Sequence, residues 1–212
     1  SIVRIWAKDI FAEKVYTDVS ESKVCYNLLS VGRLTEKKGY ETCLKAISLL
    51  KEERSDFHYT IIGEGALASS LKDLCKALNV SDLVTFLGAL NRESVKNFME
   101  KCDVLLLHSV TSSNGDMEGT PTVILEAGLL GKPVVSTFHA GIPEIIAHGK
   151  SGYLTQEHDA EKTTFYLNEL MGNPQRRSSF GRELKDTIVE GYSEGKNFKR
   201  LTCIYESLGS RD

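Results

Sequence analysis

No stretch of this 212-residue chain is apolar for long enough to cross a bilayer as a helix, which takes about 20 such residues. Nor do the opening residues carry the charged-then-apolar pattern of a secretory signal. The first residue is Ser rather than Met, so the chain is expected to be processed or cut from something longer. Cysteine is sparse and scattered. Cys25, Cys43, Cys75, Cys102 and Cys203 form no C-x-x-C pair. An odd count at wide spacing excludes a disulfide frame or a zinc site and fits reduced cytosolic thiols. A cytoplasmic location is therefore expected. Basic residues are not in excess: the net charge is -3 and the pI about 6.0. Without a general basic field, nucleic acid is excluded as the expected partner, and an anionic ligand would need local cations. No internal repeat, no low-complexity tract and no Ser/His/Asp or Cys/His nucleophile arrangement is readable.

What is present is a core-forming composition, 41% hydrophobic, in a length that suits one α/β domain. Apolar runs alternate with amphipathic stretches. Strands are expected at Tyr26–Val31, Phe57–Ile62, Val84–Leu87, Val104–Leu107, Pro133–Ser136 and Gly152–Leu154. Helices are expected at Glu41–Glu52, Leu67–Leu78, Glu93–Lys101, Pro121–Leu130 and, briefly, Pro143–Ala147. Residues 159–207 read as helical, broken near Gly172-Asn173-Pro174 and Gly191–Gly195. Strands alternating with helices imply βαβ units and a parallel sheet. Right-handed crossovers then give a doubly wound, six-stranded α/β sheet with extra C-terminal helices. Ligands of such sheets bind at the carboxyl ends of the strands.

One such end carries the stretch Gly115-Asp116-Met117-Glu118-Gly119-Thr120-Pro121-Thr122-Val123-Ile124-Leu125-Glu126-Ala127. Thr120 is the expected helix N-cap, with Pro121 at the first helical position. Val123, Ala127 and Leu130 form an apolar stripe, and Glu126 borders it. Glu118 and Glu126 are separated by seven residues, roughly 12 Å along a helix. That is too far for a glycosidase pair. It suits the two ends of an extended ligand bearing hydroxyls, with an anion held between them by free N–H groups at the helix start. The same residues also fit a capped helix whose acids serve the dipole and the surface.

Other strand ends add candidates. Gly32-Arg33-Leu34-Thr35-Glu36-Lys37-Lys38-Gly39 follows the first strand. Its Gly lets the backbone turn and approach a ligand, and Arg33 and Lys38 can hold phosphate. A solvated charged loop is the alternative. Gly63-Glu64-Gly65-Ala66-Leu67-Ala68 matches G-x-G-x-x-A, a dinucleotide fingerprint. It follows the second strand rather than the first, and the acid expected about 20 residues on is misplaced, since Asp82 precedes the next strand. Gly63 is read as a backbone-approach site and Glu64 is left open. Leu87 and Gly88 end the third strand. His139-Ala140-Gly141-Ile142-Pro143-Glu144 follows the fifth; Glu144 is expected to steady the short helix start, and His139 is not expected to reach a ligand. Gly149-Lys150-Ser151 lacks the earlier Gly of a phosphate-binding P-loop.

The segment from Glu118 to Ala127 resembles the E-x7-E motif of family 4 retaining glycosyltransferases, which have the GT-B fold. The resemblance covers roughly residues 24–207, and Asn114-Gly115-Asp116 is similar to the bacterial polysaccharide-synthesis members. It implies the Rossmann-like, C-terminal, donor-binding domain over residues 24–212, with residues 1–23 as the interdomain linker. It also implies that an N-terminal acceptor domain is missing. In that family the G-R-L-x-x-x-K-G pattern binds the donor diphosphate, so Arg33 and Lys38 would neutralise it beside Gly32. Glu118 with the N–H groups of Gly119 and Thr120 would hold the sugar, and Glu126 the ribose. Gly63 would lie close to the nucleotide, and Leu87 and Gly88 would touch the base. The donor would be UDP-, GDP- or ADP-linked and the acceptor a saccharide or lipid-linked glycan. The resemblance implies no metal and no cofactor, although Asp116-Met117-Glu118 has the look of the metal motif of the other glycosyltransferase fold. It also implies possible attachment of the full-length protein at the inner membrane, and little transfer by this chain alone. A nicotinamide-dependent oxidoreductase using Gly63-Glu64-Gly65, a sugar-nucleotide epimerase of the same architecture, and a non-catalytic nucleotide-binding or partner-docking domain stay open as alternatives.

Overall fold

The computed structural model describes residues 25–192. The expected linker over residues 1–23 and the helical reading beyond residue 192 lie outside the described residues.

The first strand, β1 (Tyr26–Val31), buries Tyr26 and Leu28 to Ser30 and exposes Asn27 near its start, as suits a central parallel strand covered on both faces. After it come α1 (Tyr40–Glu53), β2 (Phe57–Ile62), α2 (Ala68–Ala77), β3 (Val84–Phe86) and α3 (Arg92–Lys101). The second half holds β4 (Val104–Leu106), α4 (Thr122–Leu129), β5 (Val134–Thr137), β6 (Tyr153–Thr155), α5 (Ala160–Gly172) and α6 (Pro174–Gly191). The sheet is parallel with order β3-β2-β1-β4-β5-β6. The chain therefore works outward in one direction from β1 and in the other from β4. This is the doubly wound, Rossmann-like order, and its switch point lies between those two strands.

Side-chain alternation divides the interior in two. Leu28, Val104, Leu106, Val135 and Tyr153 face a core shared with α1, α2 and α5. Leu29, Leu105, Leu107, Val134 and Leu154 face the other, shared with α3, α4 and α6. Leu105 and Leu106 are fully buried on opposite faces; truncating either to Ala costs about 2–5 kcal/mol.

Several boundaries differ from the sequence expectation by a residue or two, as helix and strand ends do. Two differences have a physical reason. The stretch expected as a short helix over Pro143–Ala147 is a 3-10 turn over Ile142–Glu144, closed by the Ile145 N–H on the Ile142 carbonyl. The expected N-cap Thr120 is displaced by one: Pro121 is the N-cap of α4, in extended conformation, and no side chain caps the helix. A further 3-10 turn, Glu36–Lys38, lies in what reads by sequence as an open loop. The break near Gly172-Asn173-Pro174 is sharp because Asn173 ends α5 and its side chain accepts from the Arg176 N–H to start α6. Pro174 follows at the helix start, where it needs no N–H.

His108, at the end of β4, sits in the core beneath α1 and α5. Its Nδ1 lies 3.3 Å from the Thr163 hydroxyl, and Nε2 has no hydrogen-bond partner among the described residues. Burial first, and then His158, push its pKa down from 6.5 to about 4, against Asp159 and Glu157. The unfolded chain thus takes up a proton at this position between pH 6.5 and about 4 that the folded chain refuses. Stability attributable to His108 is present above pH 6.5 and is lost as pH falls through that window, by up to roughly 3 kcal/mol. Urea denaturation from pH 7 to pH 4 should show this slope, and His108→Gln should flatten it. Equal slopes in the two proteins would remove His108 as its source.

Candidate functional site at the switch point

The loops leaving β1 and β4 lead to helices packed on opposite faces of the sheet, α1 on one and α4 on the other. The β1 loop is braced from below. Gly39 ends the 3-10 turn and starts α1 in the left-handed conformation (φ +61°). A Cβ there would meet the His108 carbonyl oxygen at 1.7 Å, so only glycine lets this loop lie against the end of β4. The bracing brings Lys38 to Glu118: Nζ and Oε2 are 2.5 Å apart, both side chains largely buried. Oε2 accepts no directed hydrogen bond, so the contact is an ion pair without good hydrogen-bond geometry. Lys37 pairs with Asp116 at 3.0 Å. Glu36 accepts from the Ser113 N–H and hydroxyl, each at 2.8 Å. Consecutive residues of the β1 turn therefore hold three points of the β4 loop.

Tyr40 completes this corner. Its hydroxyl donates to the Gly32 carbonyl at 2.9 Å. Burial raises its pKa far above the usual phenol value, and Cys43 and Glu118 add to the rise, so it stays a neutral donor. The Arg33 side chain is exposed and makes no hydrogen bond or ion pair among the described residues. At the start of α4 the N–H groups of Gly119, Thr120, Thr122 and Val123 likewise have no acceptor among them. These N–H groups carry the partial positive charge of the helix start and have no protein acceptor among the described residues, an arrangement suited to an anion.

Glu126 lies on the only other solvent-touched part of α4 besides Thr122; Val123, Ile124, Leu125, Ala127, Gly128 and Leu129 are buried. Its side chain is 20% exposed and faces Arg92, with Nη2 3.6 Å from Oε1. Burial raises its carboxyl pKa, and Arg92 only partly counters this. A half-buried carboxylate with acceptor capacity to spare is what a vicinal diol requires.

The β2 and β3 loops extend the same edge. The Gly63 N–H donates to the Gly88 carbonyl at 2.8 Å, and the Leu34 N–H to the Glu64 carbonyl at 2.9 Å. A Cβ on Gly63 would meet the Gly32 carbonyl oxygen at 1.9 Å, and one on Gly65 the Leu34 carbonyl at 2.4 Å. The glycines of the G-x-G turn are therefore spent on packing one loop backbone against another. That removes the observation on which the dinucleotide reading rested. Glu64 is exposed and its Oε1 accepts from the Ala89 N–H at 3.4 Å. Leu87 and Gly88 are half-buried on the same edge.

A family model described as "Glycosyl transferases group 1" matches residues 21–187. The chain belongs to that family. Among curated members, the amylovoran biosynthesis glycosyltransferase AmsK of Erwinia amylovora is 44% identical over 143 residues, 68% of this chain and 35% of the relative. A GDP-mannose-dependent monoacylated alpha-(1-6)-phosphatidylinositol monomannoside mannosyltransferase of Corynebacterium glutamicum is 30% identical over 193 residues, 91% of this chain and 49% of the relative. The chain thus spans half or less of the length of these relatives. The crystal structure of Anabaena HepE in complex with UDP and glucose superposes with a TM-score of 0.76 at 22% identity, over 88% of this chain and 49% of that one. That likeness is one of fold, the Rossmann-like half of a GT-B enzyme. Nothing in these comparisons supports the oxidoreductase or the epimerase reading.

Within this group 1 chain, the residues singled out by sequence fall on one edge of the sheet. Gly32, Lys38 and Glu118 are brought together, and Gly119 and Thr120 follow directly. Arg33 is exposed in the loop after β1, Gly63 follows β2, Leu87 and Gly88 follow β3, and Glu126 lies in α4. Sequence reasoning missed Tyr40, Lys37 and Glu36, whose roles depend on the 3-10 turn. It also passed over His139, whose Nε2 accepts from the Glu118 N–H at 3.1 Å while Nδ1 lies 2.6 Å from Glu157. The turn His139–Glu144 was the available signal, since it follows a strand on the same edge. Glu144 is exposed in the 3-10 turn, away from any such contact. Among the described residues no group of three or more His, Cys, Asp or Glu side chains could hold a metal ion, and no helix is long and apolar enough to cross a membrane.

Proposed function

We propose that this chain is the donor-binding half of a retaining glycosyltransferase that takes a nucleotide-diphosphate sugar and serves bacterial polysaccharide or glycolipid synthesis. The observation that carries the reading is the start of α4: four N–H groups without acceptors among the described residues, directly after Glu118, whose carboxylate meets Lys38; Arg33, in the loop after β1, would supply a second cation. A diphosphate placed there would have the sugar beside Glu118, Gly119 and Thr120 and the ribose beside Glu126. The positive groups would stabilise the charge that develops on the leaving diphosphate. No metal or cofactor enters this reading. The relatives' names speak for amylovoran synthesis and GDP-mannose, and HepE holds UDP and glucose, so UDP- and GDP-sugars are the first donors to test. The acceptor, a saccharide or lipid-linked glycan, is assigned to the remainder of the longer proteins, and this chain alone would transfer little.

A thermal-shift and calorimetry panel of UDP, GDP, ADP, their sugar conjugates and NAD tests the proposal, because a ligand that binds the folded state raises its apparent stability. One nucleoside diphosphate and its conjugate should shift the midpoint and NAD should not. A shift with NAD alone would overturn the reading.

Arg33→Ala should weaken binding of that donor about 10- to 100-fold, as loss of a charge-assisted phosphate contact does. Glu126→Gln should weaken it about tenfold, because a neutral amide replaces an ionised acceptor of the ribose hydroxyls. The same substitution should raise thermal stability near pH 7. The folded state holds the Glu126 proton more tightly than the unfolded state does, so the ionised group detracts from stability above its raised pKa, and the deficit is relieved as pH falls. Unchanged affinity in both variants would sink the site assignment.

A further inference from the structure

The segment between Thr111 and Glu118 bears the first acid of the site, and most of it is exposed. On its outer side it is held by the surface contacts of Glu36 and Lys37. On its inner side, two side chains from other strands hold its two ends. Glu157, beyond β6, accepts from the Thr111 N–H at 2.9 Å with Oε2 and lies 3.3 Å from the Thr111 hydroxyl with Oε1. The same Oε1 is 2.6 Å from His139 Nδ1, and His139 Nε2 is 3.1 Å from the Glu118 backbone nitrogen. His139 is 2% exposed.

This chain of contacts has one proton arrangement. A backbone N–H can only donate, so Nε2 must present its lone pair to Glu118. The ring proton is then on Nδ1, where it donates to the Glu157 carboxylate. Burial pushes the Glu157 pKa up, but the Thr111 N–H and His139 outweigh it and the net shift is downward, so an ionised acceptor is in place. We infer that His139 is a positioning residue for the sugar end of the site, and that Glu157 holds it in the one tautomer that can accept from the Glu118 N–H. The contact fixes the Met117–Glu118 peptide unit, the point from which the chain runs on to the Gly119 and Thr120 N–H groups. Gly119 supplies no restraint itself, since a Cβ there would meet nothing within 4 Å. The inference rests on the proposed reading in one respect, that Glu118, Gly119 and Thr120 face the sugar.

Two measurements test it. Long-range 1H–15N NMR of the imidazole, with hydrogen exchange at the Glu118 amide, reads the clamp without any ligand. The wild type should show Nδ1–H and a protected Glu118 amide, and His139→Ala should lose the protection. Dissociation constants are then compared for UDP with UDP-glucose and for GDP with GDP-mannose. The ratio of conjugate to nucleoside diphosphate should rise about tenfold in His139→Ala and Glu157→Leu, the effect of misaligning one or two hydrogen bonds. His139→Gln, which places a carbonyl oxygen near the Nε2 position, and Glu157→Gln, which keeps an acceptor for Nδ1–H, should recover most of that ratio. A protonated Nε2 in the wild type, or equal losses for conjugate and nucleoside diphosphate in every variant, would overturn the inference. If the wild type binds neither pair, the donor reading is what fails, and the tautomer and the Glu118 amide decide the clamp by themselves.

Discussion

Gly63→Ala is expected to cost roughly 4 kcal/mol or more, a large part of the 5–15 kcal/mol by which domains of this size are stable. Two independent terms add. The residue has φ +143°, a conformation that L side chains rarely adopt. Its Cβ would also lie 1.9 Å from the Gly32 carbonyl oxygen and 2.9 Å from the carbonyl carbon. Both obstacles are backbone, so no rotamer change can relieve them, and the two loops must separate. Separation breaks the bonds between these two loops, from the Leu34 N–H to the Glu64 carbonyl and from the Gly32 N–H to the Ile62 carbonyl. At about 2–4 °C per kcal/mol for a chain of this length, the thermal midpoint should fall by roughly 8–16 °C, or the protein should fail to accumulate folded. Gly119→Ala is the control. Its Cβ has open space around it, so stability should change by no more than about 0.5 kcal/mol. A Gly63→Ala protein of wild-type stability that has lost only nucleotide binding would return that glycine to the role of ligand approach.

The second large effect is expected at the Lys38–Glu118 pair. With side chains 12% and 14% exposed, each charge depends on the other more than a surface pair does. Lys38→Ala removes a diphosphate cation and also strands the Glu118 carboxylate, whose Oε2 is buried without a directed hydrogen bond. Donor affinity should fall about 10- to 100-fold, and stability should fall by about 1–3 kcal/mol. The double variant Lys38→Met with Glu118→Gln separates the two consequences. With no charge left to strand, stability should return to within about 1 kcal/mol of the wild type. Donor affinity should remain at the Lys38→Ala level or lower. Recovery of binding along with stability would mean that Lys38 acts only through the fold. Urea denaturation and calorimetry on the wild type, Lys38→Ala and the double variant give both readings.

These effects divide along the line between what was readable in one dimension and what was not. The alternation of apolar runs and amphipathic stretches places all six strands within a residue or two, because period and burial are local consequences of composition. The acids Glu118 and Glu126, the cations Arg33 and Lys38, and the glycines at strand ends could be picked out by type and spacing, since each lies in a turn after a strand or, for Glu126, in the helix that follows one. The N-cap of α4 was read one residue early. Thr120 has the chemistry of a cap, but Pro121, with its fixed φ and an extended ψ, takes the position itself.

What the sequence by itself determined, then, is the set of elements and which turns carry chemistry. The tertiary structure alone decided which turns meet. Lys38 reaches Glu118 because β1 and β4 are neighbours in the order β3-β2-β1-β4-β5-β6. His139 and Glu157 reach the Thr111–Glu118 segment because β5 and β6 follow on the same edge. Gly63 owes its identity to the Gly32 carbonyl on the adjacent strand, a contact no local rule contains. Strand order depends on how two faces of one sheet bury their side chains against six helices, a long-range balance that spacing along the chain does not encode.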